Sequence, residues 1–168
     1  MSEPRWLDGQ EREAWLSLAA LMFVLPAALD SQLQRDEDLS MADYMVLAML
    51  SETGDRQMRM SDLAALASTS QSRLSRIVSR LEQKGFVSRT MAAEDRRAVV
   101  AHLTDHGMAK VEQAAPGHVE AVRSMVFDRL TDEQVGQLAE IGRALLTDAC
   151  TPHRALPADG HPQGTACP

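Results

Sequence analysis

The sequence predicts a mainly α-helical fold with a small β-wing: a winged helix-turn-helix domain joined to a helical dimerisation region. Three observations predict it. Apolar residues recur at three- and four-residue steps along most of the chain. A short helix, a polar turn and a helix with one apolar and one arginine/serine face follow one another over residues 61–84. A charged hairpin pattern comes directly after, over residues 86–103. Composition agrees. Of the 168 residues, 45% are hydrophobic but only 4% aromatic, so the core must be built from leucine, alanine, valine and methionine, which suit helices.

The first helix is expected over residues 9–36, with Leu18, Met22, Leu25, Leu29 and Leu33 on one face and Pro26 inside it. Ser40 and Asp43 form the signature of a capped start. The second helix follows, with Tyr44, Leu47, Ala48 and Leu50 as its buried stripe and Gly54-Asp55 as its end. Ser61 is expected to cap a short third helix over 62–67, facing Leu63 and Leu66 inward. Ser68, Thr69 and Ser70 make the turn and offer N-caps. The fourth helix, over 71–84, carries Leu74, Ile77, Val78 and Leu81 on one side and Arg73, Arg76, Arg80 and Lys84 on the other. Gly85 stands where a left-handed C-cap belongs, with Phe86 folding back on Leu81.

Residues 86–90 and 98–103 read as strands around a charged tip that holds Asp95, Arg96 and Arg97. Thr104 then caps a long helix, which Pro116-Gly117 is expected to interrupt before it resumes through Val119, Val122, Val126 and Leu130. Thr131 and Gln134 form a capping box for the last helix, with Val135, Leu138, Ile141 and Leu145 inside. Residues from 151 onward hold proline and glycine with little apolar content and read as a disordered tail. The expected organisation is therefore an N-terminal dimerisation helix over 1–36, a winged domain over 37–103, C-terminal dimerisation helices over 104–150 and the tail over 151–168.

Charge is unevenly placed. Seven basic against three acidic residues lie within 69–97, a local +4 in a chain of net −7, so the remainder carries −11. A basic island on an acidic body can take a phosphate backbone while the body repels misplaced DNA. The fourth helix fits that task. Its oily side fixes its orientation, Ser72, Ser75 and Ser79 leave room for close approach, and arginine can bond guanine bidentately. Gln71 at its start can reach adenine edges or phosphate, and the free N–H groups of its first turn favour phosphate. An amphipathic surface helix would show the same stripe; the basic hairpin behind it turns the balance. Arg96 and Arg97 can enter a narrowed minor groove. Asp95 can hold the Arg97 guanidinium in a fixed direction. Candidate DNA contacts are thus Ser70, Gln71, Ser72, Arg73, Ser75, Arg76, Arg80, Arg96 and Arg97, with Asp95 positioning the wing.

These residues carry a resemblance. The run RLSRIVSRLEQKGFV at 73–87, then DRR at 95–97 and LTDHG at 103–107, resembles the MarR family of bacterial transcriptional regulators over about residues 9–149. The resemblance implies a triangular homodimer whose first and last two helices form the dimer part, with a winged domain at the base of each subunit. It implies that Asp95 and Arg97 match the wing pair and that residues 71–80 match the recognition helix. The apolar stripes of the first and last helices, and Trp6 and Trp15, independently exceed what one small winged domain needs, although a monomer core would use them too. A two-fold dimer would read a pseudo-palindrome with half-sites about 34–36 Å apart. The expected partners are double-stranded DNA and a second copy of the chain.

The family also implies a small aromatic or phenolic effector, bound between the dimerisation helices and the winged domain. Trp15, Leu18, Met22 and His118 are candidates to line that site, and each serves equally as plain core. The first helix has no cysteine, so the oxidant sensing of some relatives loses support; Cys150 and Cys167 lie toward the C-terminus and make no C-x-x-C pair. His102, His106 and His118 lack zinc spacing, so no metal is expected. Phosphate-loop, zincin, nucleophile-elbow and dinucleotide motifs are absent, so neither an enzyme nor a cofactor is expected. Residues 16–29 are the most apolar run but contain Ser17 and Pro26 and fall short of the ~20 residues a bilayer core demands. With no signal pattern at the N-terminus, a cytoplasmic protein without a membrane partner is expected. The competing reading is an architectural or protein-binding winged-helix protein with no small-molecule response.

Overall fold

A computed structural model describes residues 4–92 and 98–149. The chain runs α1 (Gly9–Glu37), α2 (Met41–Ser51), β1 (Gln57–Arg59), α3 (Met60–Leu66), α4 (Gln71–Gln83), β2 (Val87–Met91), β3 (Val99–Leu103), α5 (Asp105–Met125), a 3-10 turn (Phe127–Arg129) and α6 (Asp132–Ala149). It is the mainly helical, small-sheet winged architecture that the sequence predicts.

Local chemistry sets most of the boundaries. Asp8 and Glu11 close a capping box on α1, each accepting the other's backbone N–H. Ser40 and Asp43 do the same for α2. Thr131 and Gln134 repeat the pattern at the start of α6. The C-terminus of α4 is closed by Gly85 at φ +73°, where the Phe86 N–H returns to the Leu81 carbonyl at 3.0 Å. Glycine is required there because the left-handed backbone crowds a Cβ.

The core lies between α1, α2, α4 and α5 and one face of the sheet. Leu33, Leu39, Leu47, Leu50, Leu63, Leu74, Leu81, Val78 and Val87 are fully enclosed in it. The sheet order is β1-β3-β2, both pairings antiparallel, with Gln57 opposite His102 and Ser88 opposite the same His102. At the sheet's exit, the Thr104 hydroxyl accepts the Gly107 N–H at 3.0 Å and is directed at the Gly85 and Phe86 carbonyls at 2.8 and 3.1 Å. Gly107 sits against that junction. A methyl group there would run into the Phe86 carbonyl and the Leu103 side chain. Gly107→Ala is therefore expected to destabilise the fold by about 1–3 kcal/mol through overpacking, read as a lower midpoint in urea unfolding at unchanged slope.

Several elements differ from the sequence expectation. Strand β1 was not expected; it borrows its pairing from β3, far along the chain, which three residues cannot announce. It feeds α3 directly, so α3 begins at Met60 with Arg59 as its uncapped N-cap, and the Ser61 hydroxyl turns to Asp62 instead. The second helix stops at Ser51, before Gly54-Asp55. Pro116-Gly117 does not interrupt α5, which continues to Met125. A proline removes one helical hydrogen bond, and the exposed side of a long packed helix absorbs that loss. The helix then ends, so Val126 and Leu130 flank a 3-10 turn and do not extend α5.

The largest departure concerns burial. Leu29 and Leu33 of α1 are buried, but Leu18 and Met22 stand in solvent on the single chain. Leu138, Ile141 and Leu145 of α6, expected inside, are likewise exposed. Trp6 is 82% exposed and Phe23 78%. By length and composition α1 is also sufficient to cross a membrane, contrary to the expectation from its interrupted apolar run, because the helix extends well beyond that run. The predicted tail over 151–168, the wing residues Asp95, Arg96 and Arg97, and Cys150 and Cys167 lie outside the described residues.

Candidate nucleic-acid interface

The helix-turn-helix is built by α3, the turn over 67–70, and α4. The Thr69 N–H bonds the Ala64 carbonyl at 3.0 Å, closing α3, with Ser68 in the left-handed region at φ +47°. Ser70 then caps α4, its hydroxyl accepting the Arg73 N–H at 3.2 Å and meeting the Ser72 hydroxyl at 3.2 Å. Leu74, Ile77, Val78 and Leu81 are buried beneath α4. Gln71, Ser72, Arg73 and Arg76 face solvent, and Ser75 and Ser79 lie half-buried between the two sides. The helix has the polarity its sequence predicts, with an oily side seated and a guanidinium side outward.

The bases around α4 then divide into two sets. Among the described residues Arg73 and Arg76 make no ion pair. Arg80, expected to face DNA, is 46% exposed but is also paired with Asp43: its Nε lies 3.1 and 3.3 Å from the two Asp43 oxygens and its terminal nitrogen 2.6 Å from Oδ1. Asp43 is buried, and a buried carboxylate must be paired, which captures the nearest guanidinium. Lys84 donates to the Asp38 carbonyl and carboxylate at 2.7 and 2.9 Å. That hydrogen bond holds the Asp38 carboxyl below its ordinary range. Arg89 of β2 reaches back to Glu82 at 2.6 Å and to the Ser79 hydroxyl at 3.2 Å, fastening the wing strand to α4. The Arg89 hydrogen bond lowers the Glu82 pKa in turn. Sequence spacing gave no sign of the Asp43–Arg80 or Asp38–Lys84 contacts, which join residues distant in the chain.

A cavity of about 500 Å³ lies beside this interface, lined by Pro26 and Asp30 of α1, Met41, Met45 and Met49 of α2, Thr69 of the turn, and Arg73 and Ile77 of α4. None of Trp15, Leu18, Met22 or His118 lines it. The first three are on the exposed part of α1. His118 is buried on α5, its ring 4.6 Å from that of Tyr44, and burial pushes its pKa down, which favours the neutral imidazole. Its Nδ1 and the neighbouring Gln32 Oε1 have no hydrogen-bond partner among the described residues. His102 meets Thr90 at 2.7 Å, and His106 packs edge-on against Phe86. The described residues hold no group of three or more metal-ligating side chains.

Comparison with known proteins agrees with this geometry. Residues 39–99 match the model of the MarR family. The chain is 32% identical over 137 residues to the HTH-type transcriptional repressor MdtR of Bacillus subtilis, covering 81% of this chain and 85% of that protein. It is 30% identical to the repressor YetL of the same organism over 96 residues, a match that spans 57% of each protein. Among solved structures, it resembles Sco3205, a MarR family transcriptional regulator from Streptomyces coelicolor crystallised in complex with DNA. The identity is 44%, the TM-score 0.82, and the match covers 86% of this chain and 91% of that one.

Proposed function

Because the chain belongs to the MarR family of transcriptional regulators, we propose that it acts as a homodimeric, ligand-responsive repressor of a pseudo-palindromic operator. Membership makes it a DNA-binding transcriptional regulator and not an enzyme. The observation that carries the reading is the outward pair Arg73 and Arg76, without an ion pair among the described residues, on a helix whose opposite face is locked into the core. Gln71, Ser72 and Ser75 flank them on the same helix, and Ser70 caps it. In this reading Arg73 and Arg76 take guanine edges in the major groove, Arg96 and Arg97 take the minor groove, and Asp95 aims Arg97.

The dimer is supported by the uncovered apolar faces of α1 and α6. Trp6, Phe23 and Val24 on one side and Leu138, Ile141 and Leu145 on the other are too large a surface to leave in water. A second copy covers both at once and leaves α4 free, whereas a membrane would cover α1 alone. The division into dimerisation helices over 1–36 and 104–150 and a winged domain over 37–103 follows from this reading, as does a place in the cytoplasm with the operator. Repression is the role named for the relatives MdtR and YetL.

The effector would occupy the methionine-lined cavity between α1, α2 and α4, close to the recognition helix. An effector can release DNA only by its differential affinity for the DNA-competent and released dimers. Footprinting upstream of the chain's own gene should show a protected, two-fold related sequence. Titrating small aromatic or phenolic acids should remove that protection and raise the melting temperature by about 5–10 °C at a hundredfold excess over Kd. Protection indifferent to sequence would sink the operator reading; an operator with no responsive acid would leave a winged regulator without this effector class.

A further inference from the structure

Two acidic side chains link α1 to the recognition helix through the start of α2. Asp30 of α1 accepts the Met41 N–H at 2.7 Å, holding the first turn of α2. Asp43, in that same turn, accepts the Ser40 N–H at 3.1 Å while its own N–H bonds the Ser40 hydroxyl. The Asp43 carboxylate also takes the Arg80 guanidinium side-on, through Nε and a terminal nitrogen. Asp43 is 4% exposed at its side chain and Arg80 46%. We propose that Asp43 is a positioning residue for DNA recognition: through Arg80 it fixes the roll of α4, and through the Asp30-capped start of α2 it ties that roll to α1.

The physical case rests on geometry and burial. A guanidinium is a planar fork, so two bonds to one carboxylate set an orientation as well as a distance. Asp43 is anchored by its own helix cap, so the fork pulls α4 toward a fixed point. Arg76 stands one turn before Arg80 and Arg73 nearly two, so a roll of α4 about its axis swings both across the groove floor. A second tether of α4, Lys84 to Asp38, is a weaker guide because Asp38 stands in solvent, where ion pairs add little, and Arg89–Glu82 ties α4 to the wing strand and not to α1 or α2. Arg80 would thus serve DNA without touching it, unlike Arg73 and Arg76. The inference rests on the proposed reading of α4 as the helix that meets the operator.

The test compares operator with random duplex for Arg80→Gln, Arg80→Lys, Asp43→Asn, the double variant Asp43→Asn/Arg80→Gln and Asp30→Ala, each across a salt series. Helix content and dimer state are checked for each. Arg80→Gln and Asp43→Asn should each reduce the operator-to-random affinity ratio about tenfold, within the range of coupling seen for indirect residues. The salt slope should stay unchanged, and the double variant should be no worse than either single one. Arg80→Lys should recover part of the ratio, and Asp30→Ala should lose part of it. Should Asp43→Asn fail to fold, the half-exposed Arg80 and its lysine variant carry the test. A salt slope lower by about one in Arg80→Gln, with both duplexes weakened alike, would make Arg80 a phosphate contact and overturn the proposal. Additive losses in the double variant, or an unchanged ratio in Asp30→Ala, would overturn it too. Arg73→Ala is run alongside: if it costs operator affinity while Arg80→Gln does not, only the positioning role fails. If neither does, the DNA reading of α4 fails with it.

Discussion

Replacing Arg73 and Arg76 together with alanine is expected to weaken operator binding by about thirtyfold or more while leaving the fold intact. Both side chains face solvent and make no ion pair among the described residues, so their removal leaves no buried charge unpaired. Each bidentate arginine–guanine contact contributes roughly 1–3 kcal/mol of discrimination, so two of them account for about one and a half to four decades. Binding to random duplex should fall much less, because non-specific affinity is set by phosphate contacts. Fluorescence anisotropy with labelled operator and scrambled duplex separates the two. Unchanged operator affinity in the double variant would remove α4 from the major groove.

The second large effect is expected at the opposite end of the molecule. Ile141 is 57% exposed on the single chain and lies in the uncovered stripe of α6 with Leu138 and Leu145. Ile141→Asp should therefore leave the single-chain fold alone but bury an unpaired carboxylate in the proposed dimer seam, a severe penalty. Sedimentation should show monomers at micromolar concentration. Affinity for the full palindrome should fall by about 10²–10⁴, because a lone winged domain loses the high effective concentration that its tethered twin supplies at the second half-site. If the variant still sediments as a dimer, the α6 stripe faces something other than the second copy.

What could be read from the sequence was what is decided within a few residues. The polarity of α4, the caps at Ser40, Ser70 and Thr131, and the left-handed Gly85 all follow from neighbours three or four positions apart. What could not be read depends on distant partners. Strand β1 exists because β3 offers it an edge, and Pro116 stays helical because α5 packs along α1 and α2. The site divides the same way. Arg73 and Arg76 were legible as outward bases, whereas Arg80, on the same stripe, turns to an acid 37 positions earlier. A charge stripe on a helix records which residues can reach a duplex, and tertiary pairing decides which remain available. The family resemblance implies an effector site, but apolar residues on α1 do not tell a cavity wall from an open face, and Trp15, Leu18 and Met22 lie on the open one.

The knot at Thr104 has a consequence for how this molecule can vary. One hydroxyl gathers the end of α4, the base of the hairpin and the first turn of α5, and the Arg89–Glu82 bond adds a second rivet above it. The hairpin is thus fastened at its root, so the body of the protein is insulated from the length and composition of the loop between β2 and β3. That loop can therefore be lengthened, shortened or exchanged without refolding what lies beneath, and under the proposed reading of the wing such changes would retune minor-groove preference.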